Sequence, residues 1–130
     1  MAVEIDHLGI AVRDLAEALR FYRDALGLGV AHTETVESER VRVAMLPAGS
    51  RIELLEAADA ESPIAKFIDK RGPGLHHVAL SVDDLASTVQ RLREQGARIL
   101  NEPRPGAGGH TYVFVHPASA GGVLLELIQK

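Results

Sequence analysis

A chain of 130 residues, 46% hydrophobic and 25% charged, is composed like one globular domain with a sizeable core and unlike a disordered segment. Its formal charge of -4, with no basic stripe, argues against broad nucleic-acid binding, and the lack of cysteine excludes disulfides and thiolate chemistry. No apolar run approaches the roughly 20 residues needed to cross a bilayer, and Met1-Ala2-Val3-Glu4 carries no secretory pattern, so a cytoplasmic protein is expected.

The chain opens on a strand pattern, His7-Leu8-Gly9-Ile10-Ala11-Val12. Leu8, Ile10 and Val12 share one face and His7, Gly9 and Ala11 the other, because successive side chains alternate. Leu15, Ala18, Leu19, Tyr22 and Leu26 then recur at helical spacing and predict one buried stripe. Asp14 is placed to cap that helix, with Glu17 three residues on, and Gly27 to end it in a left-handed turn. Three strands are expected near 29–36, 41–47 and 51–57, the last being Ile52-Glu53-Leu54-Leu55 with one acid inside it. Ser62-Pro63-Ile64-Ala65-Lys66-Phe67-Ile68 reads as a short helix, since serine caps well and proline suits the first helical position. Gly72 and Gly74 close it.

The pattern then begins again. His77-Val78-Ala79-Leu80-Ser81-Val82, followed by Asp84-Leu85, echoes the opening strand and cap seventy residues on. Leu85, Val89 and Leu92 form the second helical stripe, before Gly96. Three strands are expected near 97–102, 111–116 and 122–129. Pro47 and Pro117 keep the seventy-residue spacing, but Glu53 and Glu126 are three residues further apart, and Ser119-Ala120-Gly121-Gly122 is a natural place for the surplus. The expected fold is therefore α+β. Two tandem βαβββ modules would form a curved mixed sheet around a cleft, with helices on the outer face. All of 1–130 forms one domain in this reading: module one about 1–60, a linker helix about 62–72, and module two about 74–130.

Glu53 and Glu126 interrupt apolar strands, and an unpaired buried carboxylate is costly enough that it acquires a partner or neutralises. If the helix-free face is concave, His7, Glu53, His77 and Glu126 converge there. Two imidazoles and two carboxylates suit a divalent ion such as Zn, Co, Ni, Mn or Fe(II). A single strand histidine is more often structural, and a single strand glutamate more often solvated; the recurrence of the same types at matching places changes that balance. His32, His76, His110 and His116 lack such support, and His76 has core-face parity. Gly106-Ala107-Gly108-Gly109 reads as a loop at the rim of the cleft rather than a phosphate cradle.

With these residues in view, the chain resembles the vicinal oxygen chelate superfamily (glyoxalase/dioxygenase-like), and within it the methylmalonyl-CoA epimerase family. The resemblance runs through Ile5–Val12, Ile52–Glu56, Ser62–Phe67, Gly74–Ala79, Glu102–Gly109, His116-Pro117 and Gly121–Leu127. It implies interconversion of (R)- and (S)-methylmalonyl-CoA by proton abstraction alpha to the thioester, through a metal-stabilised enolate. It also implies metal ligands at His7, His77 and Glu126, with Glu53 in a fourth ligand position where some members carry glutamine, and Co(II) as the favoured ion. Some bacterial members have a second glutamate where this chain has Val43. Valine cannot shuttle a proton, so that base does not carry over; the pseudo-symmetry of the two copies points instead to Glu53 and Glu126 flanking the metal and sharing the two transfers. An acyl-CoA substrate and a homodimer complete the expectation. Lys66, Lys70, Arg71 and Arg104 are scattered cations, and no CoA-binding residue is singled out. A glyoxalase I-type lactoylglutathione lyase would use the same ligands, and a non-catalytic binding protein of this fold would need none.

Overall fold

The structure is a computed structural model that describes residues 3–30 and 32–130, leaving aside the side chain of Ala107. Met1 and Ala2 of the expected N-terminus, and Ala31 of the expected 29–36 strand, lie outside the described residues. Two compact units emerge: His7–His76, and His77–Lys130 together with the chain before His7.

In the first unit β1 (Glu4–Ala11) pairs in parallel with β4 (Arg51–Ala57). β4 pairs antiparallel with β3 (Val41–Leu46), and β3 with β2 (His32–Val36). The parity reading holds on the helix side. Ala44, Leu46 and Leu54 are fully buried under Ile10, Val12, Leu15, Ala18, Leu19, Tyr22 and Ile52. α1 (Leu15–Leu19) starts as expected, with Asp14 Oδ1 accepting the Glu17 amide at 3.1 Å.

The stripe fails at its far end. Arg20–Ala25 is wound as a π-helix, with the Leu26 amide donating to Phe21 O, five residues back. Leu26, expected in the core, is 55% exposed, and Leu28 packs there instead. The cause is visible in the repeat: twelve residues separate Asp14 from Gly27, but eleven separate Asp84 from Gly96. A π-turn absorbs one surplus residue and rotates the chain beyond it. Gly27 then turns the chain at φ 84°, as expected. α2 (Pro63–Arg71) begins at a Ser62 side chain that accepts the Ile64 amide at 3.1 Å, and it buries Ile64 and Ile68.

In the second unit β5 (Gly74–Ser81), from Val78 onward, pairs in parallel with β8 (Leu125–Gln129). β8 pairs antiparallel with β7 (Thr111–Val115), and β7 with the short β6 (Arg104–Pro105). α3 (Leu85–Glu94) lays Leu85, Val89 and Leu92 onto Leu80, Val82, Val113, Val115 and Leu127, the stripe the spacing predicts.

The expected 97–102 strand is reduced to a bridge between Ile99 and Val115. Leu100 N still donates to Phe114 O at 2.8 Å, but the returning bond from Phe114 N goes to the Asn101 side-chain oxygen, also at 2.8 Å. Asparagine thus substitutes its amide for the backbone ladder, and pairing resumes only after Pro103, which has no N–H to contribute. The last strand begins at Leu125 rather than 122, because Gly121 and Gly122 sit at φ 72° and 92°, outside the strand region. The Pro117–Ser119 turn and these glycines occupy the loop expected to hold the three surplus residues.

Candidate active site

On the helix-free face of the first unit, His7 and Glu53 are 5% and 4% exposed. Their Nε2 and Oε1 atoms lie 3.4 Å apart. The strand register explains the meeting. Glu53 stands opposite Gly9, two residues beyond His7 and on its face, and glycine leaves the carboxylate free to lean back toward the imidazole. In the second unit Glu126 stands opposite Ala79, two residues beyond His77. There His77 Nε2 and Glu126 Oε1 lie 3.1 Å apart, with the side chains 4% and 14% exposed. Each unit therefore builds one histidine–glutamate pair from a parallel strand pair at the same register offset, with the smallest residue types between.

The donor chemistry of each pair fits a divalent cation. Two ligand atoms held at about 2.0–2.2 Å from one Zn-like ion stand about 3.0–3.5 Å apart, the separation seen in both pairs. A carboxylate taken out of water needs compensating positive charge, which a divalent cation would supply to both members of each pair.

The other sequence candidates lie elsewhere. Val43 is buried and opposes Leu55, two residues along β3 from the Met45–Glu53 pairing, so it presents an apolar wall on the Glu53 face. His32 Nε2 sits 2.7 Å from the Glu34 carboxylate on an exposed hairpin. His76 packs edge-on against Phe67. His116 Nδ1 accepts the Ala118 amide at 2.9 Å and caps a turn. Lys66, Lys70, Arg71 and Arg104 are exposed. In the Gly106–Gly109 loop, Gly106 N donates to His110 O and Gly109 N to Gly106 O, so the loop is a closed turn.

Two functional neighbours escaped the sequence reading. Glu56 Oε2 accepts the first amide of α1, Leu15 N, at 2.8 Å, while its Oε1 takes Arg42 Nη1 at 2.6 Å. Gln129 Oε1 accepts the first amide of α3, Leu85 N, at 2.7 Å. Each lies three residues after its strand glutamate and on the opposite face, so one strand carries both a site carboxylate and a helix anchor. The repeat held this signal, obscured by the change from Glu to Gln.

Residues 6–114 match the Glyoxalase/Bleomycin resistance protein/Dioxygenase superfamily. The chain is similar to the ethylmalonyl-CoA/methylmalonyl-CoA epimerase of Cereibacter sphaeroides, at 39% identity over 99% of both chains. Among solved structures, methylmalonyl-CoA epimerase from Mycobacterium tuberculosis superposes with a TM-score of 0.91 at 43% identity, covering 96% of this chain and 86% of that one. A methylmalonyl-CoA epimerase in complex with methylmalonyl-CoA and NH4+ gives 0.93 at 38% identity, covering 100% and 96%. With its duplicated strand-borne pairs and these relationships, the chain belongs to the glyoxalase/bleomycin resistance protein/dioxygenase superfamily and, within it, to the methylmalonyl-CoA epimerase family.

Proposed function

We propose that the protein interconverts (R)- and (S)-methylmalonyl-CoA, with His7, Glu53, His77 and Glu126 serving one divalent metal site. The observation that carries this is the doubled pair: two buried imidazole–carboxylate couples built by the same strand register, in a chain of this family. Of the four residues, His7, His77 and Glu126 are the candidate ligand set, each offering one ligand atom. Glu53 is assigned the fourth position.

A divalent ion, when bound, supplies Lewis-acid stabilisation of negative charge developing on the substrate's oxygens. The chain's own work is proton transfer. Epimerisation needs the α-proton removed on one face and returned on the other, which calls for two groups that each hold a proton in turn. Glu53 and Glu126 are assigned those roles, one for each epimer. Each carboxylate has two oxygens, so one can ligate while the other exchanges a proton. Val43, Met45 and Leu55 on the Glu53 face offer no competing acid or base.

The test is deuterium uptake at the α-carbon of methylmalonyl-CoA in heavy water, with and without Co(II). Exchange that depends on Co(II) is expected. Failure to exchange, together with turnover of methylglyoxal and glutathione, would replace the epimerase reading by a lactoylglutathione lyase. Binding of the acyl-CoA without exchange in any metal would leave only a binding protein. We also propose a homodimer; sedimentation velocity showing a monomer would refute it. Among the described residues no helix is long and apolar enough to cross a membrane.

A further inference from the structure

The two histidine–glutamate pairs share a register but not a neighbour. Across the antiparallel ladder Glu53 is opposed by Met45, whereas Glu126 is opposed by Phe114. Cross-strand partners share a face, so an aromatic ring stands beside one pair and a flexible thioether beside the other. The Phe114 ring meets the His77 imidazole edge to face, with centroids 5.7 Å apart and planes at 86°. It is itself held by Tyr112, two residues back on the same face, at 5.5 Å and 77°.

Tyr112 is 3% exposed and fixed from the loop side. Arg104 Nε donates to its hydroxyl at 2.9 Å. Gly106 lies so close under the ring that a Cβ there would stand 2.7 Å from Tyr112 Cδ1. The stack therefore runs without a break from the Arg104–Gly109 loop to an imidazole whose Nε2 faces Glu126.

We propose that Phe114 is a positioning residue: it holds the His77 ring in the orientation that presents Nε2 to the metal, and the Tyr112–Arg104–Gly106 buttress holds Phe114. An imidazole free to turn about its Cβ–Cγ bond spends part of its time with the wrong edge forward, and the metal must select the correct rotamer. An edge-to-face ring packed across it removes that freedom in advance. In the other pair the residue opposite Glu53 is Met45, an unbranched thioether that adapts to its neighbours.

This inference rests on the metal-site reading above, and the experiment separates the two. Co(II) is titrated into metal-free wild type, Phe114→Leu and Phe114→Tyr, with affinity read by calorimetry and ligand-field absorption, and folding by thermal unfolding of the metal-free proteins. Phe114→Leu is expected to bind Co(II) about fivefold more weakly, and Phe114→Tyr, which keeps the ring, to return to within about twofold of wild type. Equal Co(II) affinity in Phe114→Leu and wild type overturns the proposal, even if the variant melts earlier, because ordinary packing loss lowers the melting point without moving affinity. If Phe114→Leu does not fold, Phe114→Tyr decides: a folded tyrosine variant with affinity lowered as far as fivefold overturns it. Wild type that binds no Co(II) overturns the metal-site reading and this inference with it.

Discussion

Glu53 and Glu126 occupy matching places yet meet water to different extents, their side chains 6% and 14% exposed. Changing Glu53 to glutamine keeps an oxygen for the metal but removes a group that can hold and release a proton at neutral pH. Glu53→Gln is therefore expected to retain Co(II) and to lose turnover by about 100-fold or more, measured as α-deuterium exchange on the metal-loaded protein. Full turnover with metal bound would show that Glu53 is not the second base. Residue types at this scale were legible because the chain says them twice: His7 and His77, Glu53 and Glu126 needed no coordinates to be noticed. What the sequence concealed was which neighbours complete them. Phe114 reads as an ordinary strand aromatic, and only the β7–β8 register puts it opposite Glu126.

The elements show how local patterns and tertiary bonds divide the work. Asp14, Ser62 and Asp84 act as caps, since each accepts an amide two or three residues ahead, a signal contained within a few residues of sequence. Glu56 and Gln129 do a similar job from 41 and 44 residues away, and nothing in a helix pattern announces them. Glu56→Ala frees the Leu15 amide and also strips Arg42 of its carboxylate partner, so it is expected to destabilise by about 1–2 kcal/mol. Gln129→Ala, which loses one neutral bond, should cost about 1 kcal/mol. Urea unfolding of both variants checks the order, and a Gln129 loss exceeding that of Glu56 would contradict it. The failure of the 97–102 strand has the same origin. Its composition suits a strand, and its decisive feature is an Asn101 side chain bonded to Phe114 N and Tyr112 O on another strand.

For the whole molecule, a metal that binds the folded chain and not the unfolded one must stabilise it by mass action. Free Co(II) at a hundred times its dissociation constant is expected to add about 2.7 kcal/mol, seen as a rise in the midpoint of thermal unfolding. A chelator should remove both this rise and the α-proton exchange, and re-addition of Co(II) should restore both. An unchanged midpoint would speak against a site formed by native structure. The α+β architecture was readable at this scale through its duplication, because strand parity and helical stripe agreed in the second repeat and, as far as Tyr22, in the first.

The surplus residue wound into Arg20–Ala25 says where this architecture can change length. A residue added inside β1 or β4 would turn every side chain beyond it to the opposite face, sending His7 or Glu53 into the helix-side core. The same addition in a helix shifts the residues after it by about 100° of rotation, and a single wide turn can swallow it before the next strand begins. Insertions and deletions accumulated since the halves diverged should therefore sit in helices and in loops such as 116–124, while the four strands that carry His7, Glu53, His77 and Glu126 keep their count.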